Sequence, residues 1–146
     1  MSSARDPVVQ ELVGAFVEVM AQMGQHFAER AAEVGLSPSQ AMALLKLEGA
    51  MSMGELAERL CCDASNVTGI VDRLEDRHLV ERQPAPGDRR VRRLVLTDDG
   101  RRLRQAHIER LFADSPLSAS LSQDEQRALL DLLRRIAART PARSAS

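Results

Sequence analysis

Ser65, Asn66, Thr68 and Arg73 stand close together in one short stretch of the chain. Between them they offer hydroxyls and a carboxamide that both donate and accept hydrogen bonds, and a guanidinium that donates in a planar fork. Further on come Asp88, Arg89 and Arg90, with Arg92 and Arg93 just behind them and Gly87 just ahead. Cations clustered around a turn suit charge-assisted bonds to phosphates rather than proton transfer to a substrate. Nothing in the chain has the spacing of a catalyst: there is no Gly-rich phosphate loop and no nucleophile elbow. His26, His78 and His107 are dispersed, and neither HExxH nor CxxC spacing occurs, so no metal site and no cofactor is expected.

The elements that must position these residues are marked by helix-start signals. A first long helix is predicted over 7–33, with Leu12, Phe16, Met20, Met23, Phe27, Ala31 and Val34 forming one apolar stripe and Gly35 ending it. Ser37-Pro38-Ser39-Gln40 predicts an N-cap, a proline at the first helical position and a capping glutamine for a second helix to about 48. Ser52-Met53-Gly54-Glu55 opens a short third helix to 60, and Asp63 can cap a fourth over 64–77. In that fourth helix Val67, Ile70, Val71 and Leu74 share the buried side. Ser65, Thr68, Gly69, Asp72 and Arg73 face outward, with Asn66 on the flank. Gly69 on the exposed side costs about 1 kcal/mol of helix stability relative to Ala, but lets another surface approach the backbone closely. Residues 79–83 and 92–97 are predicted strands, joined through the turn-forming stretch Pro84-Ala85-Pro86-Gly87-Asp88. A fifth helix starts at Thr97-Asp98-Asp99-Gly100 and is broken by Pro116. A sixth starts at Ser122-Gln123-Asp124-Glu125, and a disordered tail is expected over 140–146.

The 146 residues predict a single domain. The 44% hydrophobic and 28% charged composition is that of a soluble globular protein, and no apolar run is long enough for a membrane helix. The first residues carry no signal-peptide h-region, which places the expected location in the cytoplasm. Net charge is only −1, yet it is unevenly distributed. Residues 1–60 hold four basic and eight acidic groups, whereas residues 73–104 hold ten Arg and six acids. Such asymmetry points to an anionic partner for the second region.

Two helices across a tight turn followed by an Arg-rich hairpin describe a winged helix-turn-helix. The polar side of the fourth helix suits entry into a major groove, and the hairpin Arg suit phosphates or a narrow minor groove. Over residues 36–104 the chain resembles the MarR family of transcriptional regulators. The resemblance is carried by Leu36-Ser37-Pro38-Ser39-Gln40, by Glu55-Leu56-Ala57-Glu58-Arg59-Leu60, and by Asn66 through Glu75. It continues in Leu79-Val80-Glu81-Arg82, in Gly87-Asp88-Arg89-Arg90, and in Leu96-Thr97-Asp98-Asp99-Gly100.

The resemblance implies a mainly α fold with a two-stranded β wing, in which residues 36–104 form the DNA-binding lobe. Residues 7–34 and 105–139 would form the dimerisation helices of an obligate homodimer. It implies sequence-specific binding of a pseudo-palindromic double-stranded operator, with repression relieved by a small lipophilic or aromatic effector. Ser65, Asn66, Thr68 and Arg73 take recognition-helix roles. Arg90 enters the minor groove, Asp88 braces the wing, and Arg89 meets phosphate. An effector pocket is expected around Met20, Met23, His26 and Phe27. Two departures stand out. Gly69 replaces the Arg of many relatives, and Cys61-Cys62 replaces a turn Gly followed by a buried apolar residue. Cys62 is then expected to pack as a small hydrophobe, the alternative being a redox or metal switch at the turn. Peroxide sensors of the family usually carry their reactive Cys near the start of the chain, and none is found there. The remaining alternative is an interaction module that keeps the fold without binding DNA.

Overall fold

The computed structural model describes residues 6–139, so the tail expected over 140–146 lies outside the described residues. The chain runs α1 (Pro7–Glu33), α2 (Pro38–Lys46), α3 (Met53–Leu60), α4 (Ala64–Asp76), β1 (Val80–Ala85), β2 (Asp88–Leu96), α5 (Asp98–Ala113), α6 (Pro116–Ser120) and α7 (Gln123–Arg139). Local capping chemistry sets most of these boundaries. Asp6 accepts from the Val8 amide at 3.0 Å to start α1. Gly35, at φ 70°, ends it with amide bonds from Gly35 to Ala32 O and from Leu36 to Ala31 O, the pairing a left-handed terminal residue permits. Reciprocal capping boxes open α2 (Ser37 and Gln40) and α3 (Ser52 and Glu55). The Asp63 side chain, by contrast, makes no capping bond at α4, although Asp63 occupies the cap position.

The core gathers under α4. Leu44, Leu47, Leu56, Val67, Val71, Leu74, Val80 and Leu94 are all fully buried. The buried stripe of α4 is narrower than its spacing suggests, since Ile70 is only half-buried at the rim of this cluster.

β1 and β2 form an antiparallel ribbon from Val80↔Leu96 to Ala85↔Asp88, with an irregularity between Pro84 and Ala85. The strands therefore run past Pro84, and the turn shrinks to Pro86-Gly87 with Gly87 at φ 84°. A two-stranded ribbon has only edges, so a proline lacking an amide proton is tolerated there. At its base the ribbon is stitched to the α2–α3 connection, where Met51 and Leu94 exchange both backbone bonds, at 3.1 and 2.7 Å.

Pro116 does not simply break the fifth helix. Ser115 caps a short α6, accepting from the Ser118 amide at 3.1 Å, with Pro116 at the first helical position. The described residues thus hold seven helices rather than the six expected. Two long helices are left largely uncovered. In α1 only His26 and Ala31 are buried, and α7 buries no residue at all.

Candidate nucleic-acid interface

α4 presents Ser65, Asn66, Thr68, Gly69, Asp72 and Arg73 as exposed residues, while Val67, Val71 and Leu74 anchor its other side. The Thr68 hydroxyl donates back to Ala64 O at 3.2 Å, leaving its oxygen free to accept. Nothing lies within 4 Å of the Cβ that Gly69 lacks, so the helix surface is open at that point.

The predicted wing arginines divide into two groups. Arg82 turns inward and binds Asp72 at 2.6 Å and also Glu75, both on α4. Its guanidinium is held even more firmly in the charged form, first by the hydrogen bond to Asp72. Arg93 donates to Ala50 O at 3.2 Å and lies 3.6 Å from Glu55, so it fastens the ribbon base to the α2–α3 connection. Arg89, Arg90 and Arg92 remain exposed, and no ion pair engages them or Arg73 among the described residues. Asp88 Oδ1 accepts from the Arg90 amide at 2.9 Å, an Asx-type turn that stiffens the tip and leaves the Arg90 side chain projecting.

The sequence reading missed a contribution from α2. Ser37 and Ser39, at its N-terminus, line one cleft with Asn66, Gly69 and Arg73 of α4. The capping box at Ser37 was the available signal, because a helix start exposes amide protons that favour an anion. Arg77 was missed as well. It donates to Gly35 O at 2.6 Å and to Val34 O at 3.2 Å, tying the end of α4 to the end of α1.

The four residues expected to line an effector pocket do not share one environment. Met20 is exposed and Met23 half-buried. His26 is buried, with Nε2 3.0 Å from Leu111 O, and Phe27 meets the ring of His107 edge-on at 5.9 Å. His107 was not singled out for this region. It is fully buried, and neither of its ring nitrogens has a hydrogen-bond partner. Cys62 also departs from expectation, since both cysteines are exposed. The end of α3 turns the residue outward through a left-handed Cys61, at φ 52°.

A core-anchored polar helix, a short preceding helix and an arginine-tipped ribbon define a winged helix-turn-helix protein. The sequence profile of the MarR family matches residues 36–92. The HTH-type transcriptional repressor NicR of Pseudomonas putida is 37% identical over 113 residues, covering 75% of this chain and 72% of NicR. The repressor MdtR of Bacillus subtilis is 43% identical over 68 residues, or 45% of this chain and 44% of MdtR. Among solved structures, the transcriptional repressor CouR bound to a 23-mer DNA duplex superposes with a TM-score of 0.75 at 31% identity, covering 90% of this chain and 96% of CouR. A MarR family protein from Bacillus stearothermophilus gives 0.77 at 29% identity, covering 89% and 93%. The chain belongs to the MarR family and is a transcriptional regulator rather than an enzyme. No helix among the described residues is long and apolar enough to cross a membrane.

Proposed function

We propose that the chain is a dimeric repressor whose α4 reads operator bases in the major groove while the wing tip enters the minor groove. The observation that carries this reading is a single lobe presenting two exposed polar surfaces: Ser65, Asn66, Thr68 and Arg73 on α4, and Arg89, Arg90 and Arg92 on the ribbon, whose arginines make no ion pair among the described residues. Asn66 can bind adenine bidentately, and a good base contact discriminates by about 1–3 kcal/mol. Arg90 reads groove width and potential, which vary with sequence far less sharply. Ser37 and Ser39 add phosphate contacts beside Arg73. The named relatives NicR and MdtR are repressors, and CouR was solved on duplex DNA.

The test is a binding matrix over single-base operator variants at two salt concentrations. Arg90→Ala lowers affinity for every variant by a similar factor and makes the salt slope shallower. Asn66→Ala flattens preference at one or two positions of each half-site. An Arg90→Ala protein with unchanged affinity and salt slope removes the wing from the interface.

Release by a small aromatic or lipophilic effector completes the reading. The α1–α5 junction, where Phe27 meets the buried ring of His107 edge-on beside His26, supplies aromatic contact surface. DNA binding by Bordetella bronchiseptica BpsR, which shares this fold at a TM-score of 0.69, is regulated by 6-hydroxynicotinic acid. Operator release by such a compound, lost in Phe27→Ala, checks this element. Release that persists in the variant relocates the site.

A further inference from the structure

Cys61 and Cys62 are the chain's two cysteines, adjacent in sequence and both exposed, although free cysteine is among the most often buried residue types. Their backbone is firmly held. The Cys61 amide bonds Glu58 O and the Cys62 amide bonds Ala57 O, each at 3.1 Å. Cys61 sits at φ 52° and ψ 39°, a conformation better suited to glycine. Cys62 Sγ donates to Leu60 O at 3.2 Å, its one hydrogen-bond partner there. Neither thiol belongs to the core, and the turn they occupy leads directly into the recognition helix.

Consecutive cysteines bridge each other only by straining the intervening peptide, so the pair persists as two thiols. A soft trivalent centre with two exchangeable ligands can join them instead, through a ring one atom larger. Zinc sites take three or four protein ligands, and no group of three His, Cys, Asp or Glu suited to a metal exists among the described residues. An arsenic atom that already carries one organic group needs only two.

We propose that Cys61-Cys62 is a vicinal dithiol site for a trivalent organoarsenical, placed so that occupancy blocks DNA binding. In the hydrated form R–As(OH)2, each thiol displaces one hydroxyl. Two As–S bonds form and two As–O bonds break, and the thiol protons leave with the hydroxyls as two waters. Arsenic stays trivalent, so no electron is transferred and no oxidant is required. The organic group then projects beside Ser65 and Asn66 in the first turn of α4. The effect on DNA rests on the proposed operator contacts of that helix, whereas the dithiol itself does not.

The experiment titrates the reduced full-length chain with phenylarsine oxide. One arsenical should bind per chain, with loss of both titratable thiols and reversal by a dithiol reductant but not by a monothiol at the same concentration. Operator affinity should fall by about tenfold or more. Cys62→Ser and Cys61→Gly, the latter matched to the left-handed backbone, should each abolish tight binding while still binding operator. A single-cysteine variant that binds the arsenical as tightly as the native chain overturns the site, as do two thiols that stay titratable. Full occupancy with unchanged operator affinity overturns the regulatory half of the proposal. Thiol counting needs no DNA, so a chain that binds no operator would defeat the proposed function while still deciding the dithiol site.

Discussion

Arg82 of β1 donates to Asp72 of α4 at 2.6 Å, while its other terminal nitrogen meets Glu75 one turn further along the same helix. One guanidinium thereby ties α4 to the ribbon, the two elements proposed to reach neighbouring grooves together. These side chains are partly solvated, so the network adds at most about 1 kcal/mol to stability. Arg82→Ala should therefore leave urea denaturation nearly unchanged yet weaken operator binding clearly. The double variant with Asp72→Ala should bind no worse than Arg82→Ala alone, and fully additive losses would show that the pair does not act as a unit.

Gly100 is the most tightly enclosed of the glycines. A Cβ there would lie 2.0 Å from Leu79 O, a backbone atom that cannot swing away. The segment is held by Thr97, whose amide bonds Leu79 O at 3.1 Å and whose hydroxyl donates to His78 O at 2.6 Å. Gly100→Ala should cost about 1–3 kcal/mol or more by overpacking, measured as a lowered denaturation midpoint. Gly69→Ala, with open space around it, should stabilise the fold by up to about 1 kcal/mol.

Burial holds the pKa of His107 below the ordinary histidine value, with Glu33 pulling weakly the other way. The unfolded chain takes up this proton near pH 6.5, whereas the folded chain takes it up only at lower pH. Between those values the unfolded state binds more protons, so stability is intact above about pH 6.5 and falls as the pH drops below it. His107→Leu, which keeps the packing against Phe27, should flatten that acid limb. Parallel stability–pH curves for the two proteins would show that His107 is not the titrating group.

The exposed residues Val8, Leu12, Phe16 and Met20 follow one another at four-residue steps on α1, and Leu132 and Ile136 do the same on α7. An apolar stripe of this extent is poorly compatible with a free monomer. Sedimentation equilibrium should report a dimer at micromolar concentration, and Phe16→Glu should dissociate or unfold it. A stable folded native monomer would contradict the dimer.

Helix starts were legible in the sequence wherever the stabilising bond is local. Ser37 with Gln40, Ser52 with Glu55, and Ser122 with Glu125 cap their helices as their three-residue spacing predicts. The burial of Val67, Val71 and Leu74 follows from helical periodicity, and a turn within the stretch 84–88 follows from its prolines and glycine, although the strands leave only Pro86-Gly87 to it. Asp63 shows the limit of such reasoning: its type and position suit a cap, yet its side chain makes none.

Only the tertiary structure decided which arginines stay free. Arg82, Arg90 and Arg93 look alike along the chain. Arg82 finds carboxylates on α4, and Arg93 finds a carbonyl 43 residues away, whereas the Arg90 guanidinium meets no carboxylate among the described residues. The exposure of Cys62, the burial of His107 against Phe27, and the cleft shared by Ser37 and Arg73 were settled in the same way. Capping and periodicity act within one turn of a helix, so residue type and spacing contain them. Burial and ion pairing depend on what the fold brings from tens of residues away, and no local pattern records that.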